Sequence, residues 1–208
     1  NSDFSFDPGY VKEEIYPCTD LRGTFQHKNS IDYPNIPGLS IGNQGNSWCA
    51  HPDVVLQYNS YGFRGDEFQE QKHDIDFRIF AVGGSSTNGS GAVDDETWPG
   101  HLQQIINEKI TGKKIEVINA GIYGASTATE YNLIKDKIFS LDPDLIIMYD
   151  GWNDYKELSV ETTIQNWESV CKLGNDEGFD TITIVQPIPI IGQRVLTEQE
   201  ISNSFSNF

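Results

Sequence analysis

Three short stretches hold small polar groups of the kind that acyl-transfer chemistry uses. Gly83-Gly84-Ser85-Ser86-Thr87-Asn88-Gly89 offers a hydroxyl nucleophile, Ser85, beside glycines that permit a sharp turn and close approach of a substrate. Asn119-Ala120-Gly121-Ile122-Tyr123-Gly124-Ala125-Ser126 offers an unshielded backbone N–H at Gly124. Asp150-Gly151-Trp152-Asn153-Asp154 offers a neutral side-chain amide donor, Asn153. Attack on a carbonyl needs a nucleophile and donors aimed at the oxygen that becomes negative. Each residue also has a plainer reading. Ser85 can cap the turn that follows it, and Gly124 can be a turn glycine with positive φ. Asn153 and Asp154 can cap the next helix, the reading preferred for Asp154. Trp98, Tyr123 and Trp152 are candidate walls of a substrate pocket, although Trp98-Pro99 reads first as a helix start. His101 reads as a solvated surface residue, and His27, His51 and His73 have no assigned role.

Each stretch follows an apolar run that reads as a buried strand. Arg78 to Val82 precedes the first stretch, Lys114 to Ile118 the second, and Leu145 to Tyr149 the third. Between them lie helical patterns. One runs from about Glu96 to Lys109, with Leu102, Ile105, Ile106 and Ile110 at helical spacing and Asp94 or Asp95 as cap. A second runs from a cap at Ser126 or Thr127 to about Ser140, and a third from about Thr163 to Leu173. A fourth strand, Thr181 to Val185, is ended by Pro187 and Pro189, and Thr197-Glu198-Gln199-Glu200 has the form of a capping box. Alternating strands and helices predict an α/β domain, a parallel sheet covered on both faces. Ligands in such sheets bind at the carboxyl ends of the strands. In the flavodoxin-like order 2-1-3-4 the three stretches become neighbours, with the Ser85 strand in the middle.

The combination resembles the SGNH, or GDSL-type, hydrolases. The family's first block, usually Gly-Asp-Ser, matches Gly83-Gly84-Ser85 with Gly84 in place of the aspartate. The second-block glycine matches Gly124, and the third block, Gly-x-Asn-Asp, is intact as Gly151-Trp152-Asn153-Asp154. Asn59-Ser60-Tyr61-Gly62-Phe63-Arg64-Gly65 upstream, and Gln186-Pro187 and Leu196-Thr197 downstream, are similar to one branch of the family. The resemblance covers about residues 54 to 200. It implies a flavodoxin-like α/β/α sandwich and a serine esterase in which Ser85 forms an acyl-enzyme. The N–H groups of Ser85 and Gly124 and the amide of Asn153 would hold the oxyanion, with Tyr123 and Trp152 at the substrate. The implied substrate is a small-molecule or carbohydrate ester carrying a short acyl or O-acetyl group. No cofactor and no metal are implied. The family's base, a histidine three residues after an aspartate in a final block, has no counterpart, because no histidine follows His101. Two expectations stay open: a sequence that stops short of that block, or a non-catalytic binding or structural subunit that lacks the base.

Composition narrows the classes further. The chain has 208 residues, enough for one domain, with 37% hydrophobic and 12% aromatic residues, which supports a packed core. Lys+Arg 14 against Asp+Glu 31 gives a net charge of −17, which repels phosphate backbones and anionic lipid. No nucleic-acid partner is expected. No apolar run approaches the ~20 residues of a membrane span, and no transmembrane segment is expected. The Gly83–Gly91 stretch lacks the Gly-Lys-Ser/Thr ending of a phosphate loop, which weakens a nucleotide-binding reading. Asn88-Gly89-Ser90 spells a glycosylation sequon but falls in the nucleophile turn and reads as chance. Residues 1–76, with scattered Pro, Gly, Asn and Asp, read as an irregular, partly β segment that includes an extended stretch at Val54–Tyr58. Residues 77–208 read as the hydrolase-like domain, incomplete at its C-terminal end. Cys18 and Cys49 are candidates for a disulfide, while Cys171 reads as a small buried residue. The acidic balance and this pair lean towards an extracellular or cell-surface protein.

Overall fold

The computed structural model describes residues 11–14, 54–89, 92, 94–154 and 158–186. The possible Cys18–Cys49 pair, Pro187, Pro189 and the Thr197–Glu200 capping box lie outside the described residues. In chain order the elements are β1 (Val11–Glu14), β2 (Val54–Gln57), β3 (Phe77–Gly83), α1 (Ser85–Asn88), α2 (Trp98–Lys109), β4 (Ile115–Asn119), α3 (Thr127–Asp136), β5 (Leu145–Asp150), α4 (Val160–Glu177) and β6 (Asp180–Val185). β1 and β2 pair antiparallel, apart from the main sheet. β3 to β6 form one parallel sheet in the order β4-β3-β5-β6, the 2-1-3-4 order that puts the three Gly-rich turns side by side.

The strands form where uninterrupted apolar runs can be buried on both faces. Phe80, Ala81 and Val82 are fully buried at the centre, and Ile118, Ile146 and Met148 extend the same core. α3 and α4 pack together over it through Leu133, Ile134 and Val170. A fully buried aliphatic side chain of this kind stabilises by roughly 1.5–3 kcal/mol relative to exposure. α2 packs against β4. The right-handed β3–α2–β4 crossover carries it to the face opposite α3 and α4. Phe63 belongs to the main core and meets Phe80 edge-on, with ring centres 5.8 Å apart, so residues before position 77 share this core.

Several boundaries differ from the sequence expectation for identifiable reasons. α2 starts at Trp98, not Glu96. Thr97 is its cap, with Oγ1 accepting from the Gly100 N–H at 3.1 Å, and Pro99 needs no donor partner in that first turn. Asp94–Glu96 form a separate 3-10 turn. Ile105 and Ile110 on α2 are exposed, so the expected apolar stripe is only partly used. α3 ends at Asp136, and Ile138–Leu141 continue as a 3-10 turn. α4 runs longer than its apolar stripe, from the Ser159 cap to Gly178 at φ 92°. Among the described residues β6 is the edge strand, and it leaves Ile182, Ile184 and Val185 exposed.

Arg78, the polar residue that opens an apolar strand, is completely buried. Its guanidinium pairs with Glu116 and donates to the carbonyls of Gln69, Glu70 and Leu141. It lies 5.2 Å from the centre of the Phe68 ring. A buried charge is tolerated here because its donors are matched by acceptors. The result is a clasp between the segment before β3 and the sheet.

Candidate active site

β3 ends at Gly83, where a Cβ would lie 2.8 Å from the Tyr149 carbonyl oxygen, so glycine is required for β3 to pass β5 this closely. Gly84 takes the N-cap position, and Ser85 is the first residue of the single-turn helix α1. Gly84 supplies no side-chain cap and Ser85 lies inside the turn, so the hydroxyl is not serving as a cap. Ser85 itself is half-buried. The Gly84 carbonyl accepts from the Thr87 and Asn88 N–H groups, and the Ser85 carbonyl from the Gly89 N–H. Among the described residues the Ser85 N–H is not consumed by the turn, as expected for the first donor of a helix.

Packing holds this turn tightly. Arg64, buried, donates from Nη1 to the carbonyls of Asn88 and Gly89 at 2.6 and 2.7 Å, and from Nη2 to Ala92. Its Nε pairs with Asp94 at 2.6 Å. Asn88 is fully buried and donates to the Gly121 carbonyl at 2.8 Å, so the sequon has no exposed amide to carry a glycan. Trp98 donates from Nε1 to Thr87 Oγ1 at 3.2 Å and meets Tyr149 edge-on. Trp98 therefore braces the back of the turn.

The second turn is docked on the first. Ile122 N–H donates to the Gly83 carbonyl at 2.9 Å, and Gly121 lies against the backbone of Thr87 and Asn88. A Cβ on Gly121 would overlap the Asn88 amide nitrogen and come 2.8 Å from its Cα. Gly121→Ala is therefore expected to cost about 1–3 kcal/mol, the usual range for overpacking. A urea-unfolding midpoint that does not move would show that the two turns can separate cheaply. Gly124 follows, exposed, at φ 71°, inside a turn closed by the Ala125 N–H and the Ile122 carbonyl. Positive φ at this position is what selects glycine.

The third turn closes the arrangement. Asn153 donates from Nδ2 to the Ala125 carbonyl at 2.7 Å, next to Gly124. The same nitrogen lies 2.5 Å from where a Cβ on Gly84 would stand. Asn153 thus rests on the residue before Ser85 and bonds the residue after Gly124. An amide nitrogen carries two hydrogens, so one bond to Ala125 orients the group and leaves a second donor. Gly84, having no Cβ, provides the room for it.

The remaining candidates fall as follows. Asp154 caps α3, the helix before it, and not the helix that follows. Its Oδ1 accepts from the Thr127 N–H at 3.0 Å and from Thr127 Oγ1 at 2.6 Å, while Ser159 caps α4. Tyr123 is buried, and Trp152 is exposed beside Asn153. His101 is exposed on α2 and near Gln104, and His73 is also exposed. Cys171 is a free, half-buried thiol that accepts from Thr181. A cavity of about 690 Å³ beside α2 is lined by Asn59, Arg64, Asp94 and Gln103 among others, and not by Ser85, Gly124 or Asn153. Arg64 and Asn88 went unassigned in the sequence reading, although Arg64 stands in the Asn59–Gly65 stretch noted there.

No family model matches the chain, and no curated protein matches it. Solved structures do. The chain is 24% identical to TesA at a TM-score of 0.50, over 56% of this chain and 65% of that one. It is 21% identical to a lipolytic protein of the G-D-S-L family from Desulfitobacterium hafniense DCB-2 at a TM-score of 0.49, over 62% and 67%. It is 19% identical to AlinE4, an SGNH-hydrolase family esterase, at 0.47, over 63% and 92%. The chain thus spans about two thirds of the length of the first two. At a TM-score of 0.50 the likeness to TesA is one of fold, a parallel sheet with helices packed on it.

Proposed function

We propose that this chain carries the nucleophile and the oxyanion site of a serine-dependent carboxylic ester hydrolase. The observation that supports it most is Asn153, set between Gly84 and Ala125 so that all three Gly-rich turns meet at one amide. In this reading Ser85 Oγ attacks the ester carbonyl carbon and gives its proton to a histidine base. The oxyanion accepts from the Ser85 and Gly124 N–H groups and from Asn153 Nδ2. Collapse expels the alcohol, which takes the proton from the imidazolium. Water then releases the acyl group as a carboxylic acid and restores Ser85. The base is drawn from outside the described residues, since His73 and His101 both lie exposed to solvent. Trp152, exposed beside Asn153, and Tyr123, buried beside Gly124, are the aromatic residues this reading sets at the substrate. The substrate in this reading is a short acyl or O-acetyl ester of a small molecule or carbohydrate, and a charge of −17 suits an extracellular or cell-surface setting.

The second reading is a non-catalytic binding subunit of the same fold. It is favoured by the lack of any histidine after His101. The intact mass of the native protein, with and without a fluorophosphonate probe, separates the two. A mass above 23.3 kDa and one adduct, absent in Ser85→Ala, is the expected result. A mass near 23.3 kDa with no adduct would overturn the enzyme reading in favour of the subunit.

A further inference from the structure

The turn that carries Asn153 is braced at both ends on α3, by two different kinds of carboxyl. At its far end Asp154 accepts from Thr127, the first residue of α3. At its near end Asp150 closes β5 and faces Glu130, one turn further along α3. Glu130 is 1% exposed, and among the described residues neither of its carboxyl oxygens has a donor. Asp150 is also buried and accepts from Trp167 Nε1 on α4 at 3.2 Å. Two facing carboxyl groups can bond only if one of them carries a proton. We propose that Glu130 is a positioning residue: as a neutral acid it donates to Asp150 and clamps the near end of the Asn153 turn onto α3, and losing that proton opens the clamp.

The surroundings favour this over a cation site. Among the described residues no group of three or more His, Cys, Asp or Glu is disposed to hold a metal ion. The charged groups acting on Glu130 are Asp150 from β5 and Asp154 from the turn, both negative. α4 contributes the Trp167 indole, on Asp150, and the Thr163 hydroxyl, on Asp154, neither of which titrates in the relevant range. Burial first, then the Asp150 charge, push the Glu130 carboxyl well above the ordinary glutamate range. Burial raises Asp150 as well, offset by the Glu130 carboxyl beside it and by the bond from Trp167.

The pH dependence follows in sign. A carboxyl raised on folding contributes fully below its unfolded value, near 4.5, and its contribution is lost as pH climbs through the folded value. The test is a titration of the native protein from about pH 4 to 10, followed by the fluorescence of Trp167, isolated as the difference from Trp167→Phe. We expect a sigmoidal change centred above the ordinary glutamate range, absent in Glu130→Gln and moved downward in Asp150→Asn. The melting temperature of the native protein should fall relative to Glu130→Gln as pH rises above about 4.5. A Trp167 signal that does not titrate, or that titrates unchanged in Glu130→Gln, overturns the clamp. The effect on catalysis rests on the reading of Asn153 as an oxyanion donor. Where ester turnover is present, kcat should fall with the same midpoint while KM holds, and Glu130→Gln should lack that fall. A Glu130-dependent titration in a protein without turnover would uphold the clamp and sink the esterase reading alone.

Discussion

Arg64→Met is expected to destabilise the protein by about 3 kcal/mol and to loosen the turn that holds Ser85. The guanidinium satisfies the carbonyls of Asn88 and Gly89, both in buried residues, together with Ala92 and the Asp94 carboxylate. Methionine keeps most of the side-chain volume and removes every donor. Each buried carbonyl left without a partner costs on the order of 1–3 kcal/mol. Asn88 retains a long bond from Asn119 Nδ2 at 3.3 Å, so the cost falls on the Gly89 and Ala92 carbonyls, at roughly 1.5 kcal/mol each. Asp94 is partly solvated and adds little. Arg64→Lys should recover only a fraction, because an ammonium cannot present the fork that reaches all four acceptors. Urea unfolding gives the stability, and amide exchange at Ser85–Gly89 gives the local effect. A loss below about 1 kcal/mol with unchanged exchange would mean that the turn is held by Asn88 and Trp98 instead.

The parts of this molecule that were legible in sequence are those written in local pattern. Val82 and Met148 sit in unbroken apolar runs bounded by glycine, and a run of that kind has no other stable place than a strand buried on both faces. The order of the parallel strands then placed Ser85, Gly124 and Asn153 on neighbouring turns. What was not legible depends on partners distant in the chain. Arg64 reaches residues 24 to 30 positions away, and nothing near it in sequence announces a buried cation. Glu130 looks like an ordinary acidic residue in the first turn of a helix. Only the packing of α3 against α4 and the sheet turns it into a sealed carboxyl. Asp154 reads as the cap of the helix it precedes, but the chain folds back so that its carboxylate meets the N-terminus of α3. The α2 cap went to Thr97, because Asp94 is drawn off by Arg64 and a proline at the second helical position favours a start at Trp98.

Asn153→Ala is expected to lower ester turnover by about 10²- to 10³-fold while leaving the fold in place. The asymmetry follows from the two bonds the amide can make. Its structural bond, to the Ala125 carbonyl, is made by a half-buried side chain, and losing it costs about 1 kcal/mol. In the proposed reaction its second hydrogen serves an oxygen that bears full charge only in the tetrahedral intermediate, where a fixed donor is worth several times more than in the ground state. The loss should therefore fall on kcat, with KM nearly constant and the melting temperature only slightly lower. Asn153→Asp should be worse than alanine, since a carboxylate would face the developing negative charge across the same short distance. Turnover close to that of the unaltered protein in Asn153→Ala would remove the amide from the chemistry. Asn153 would then be a packing residue over Gly84, and the convergence of the three turns would have to serve binding without catalysis.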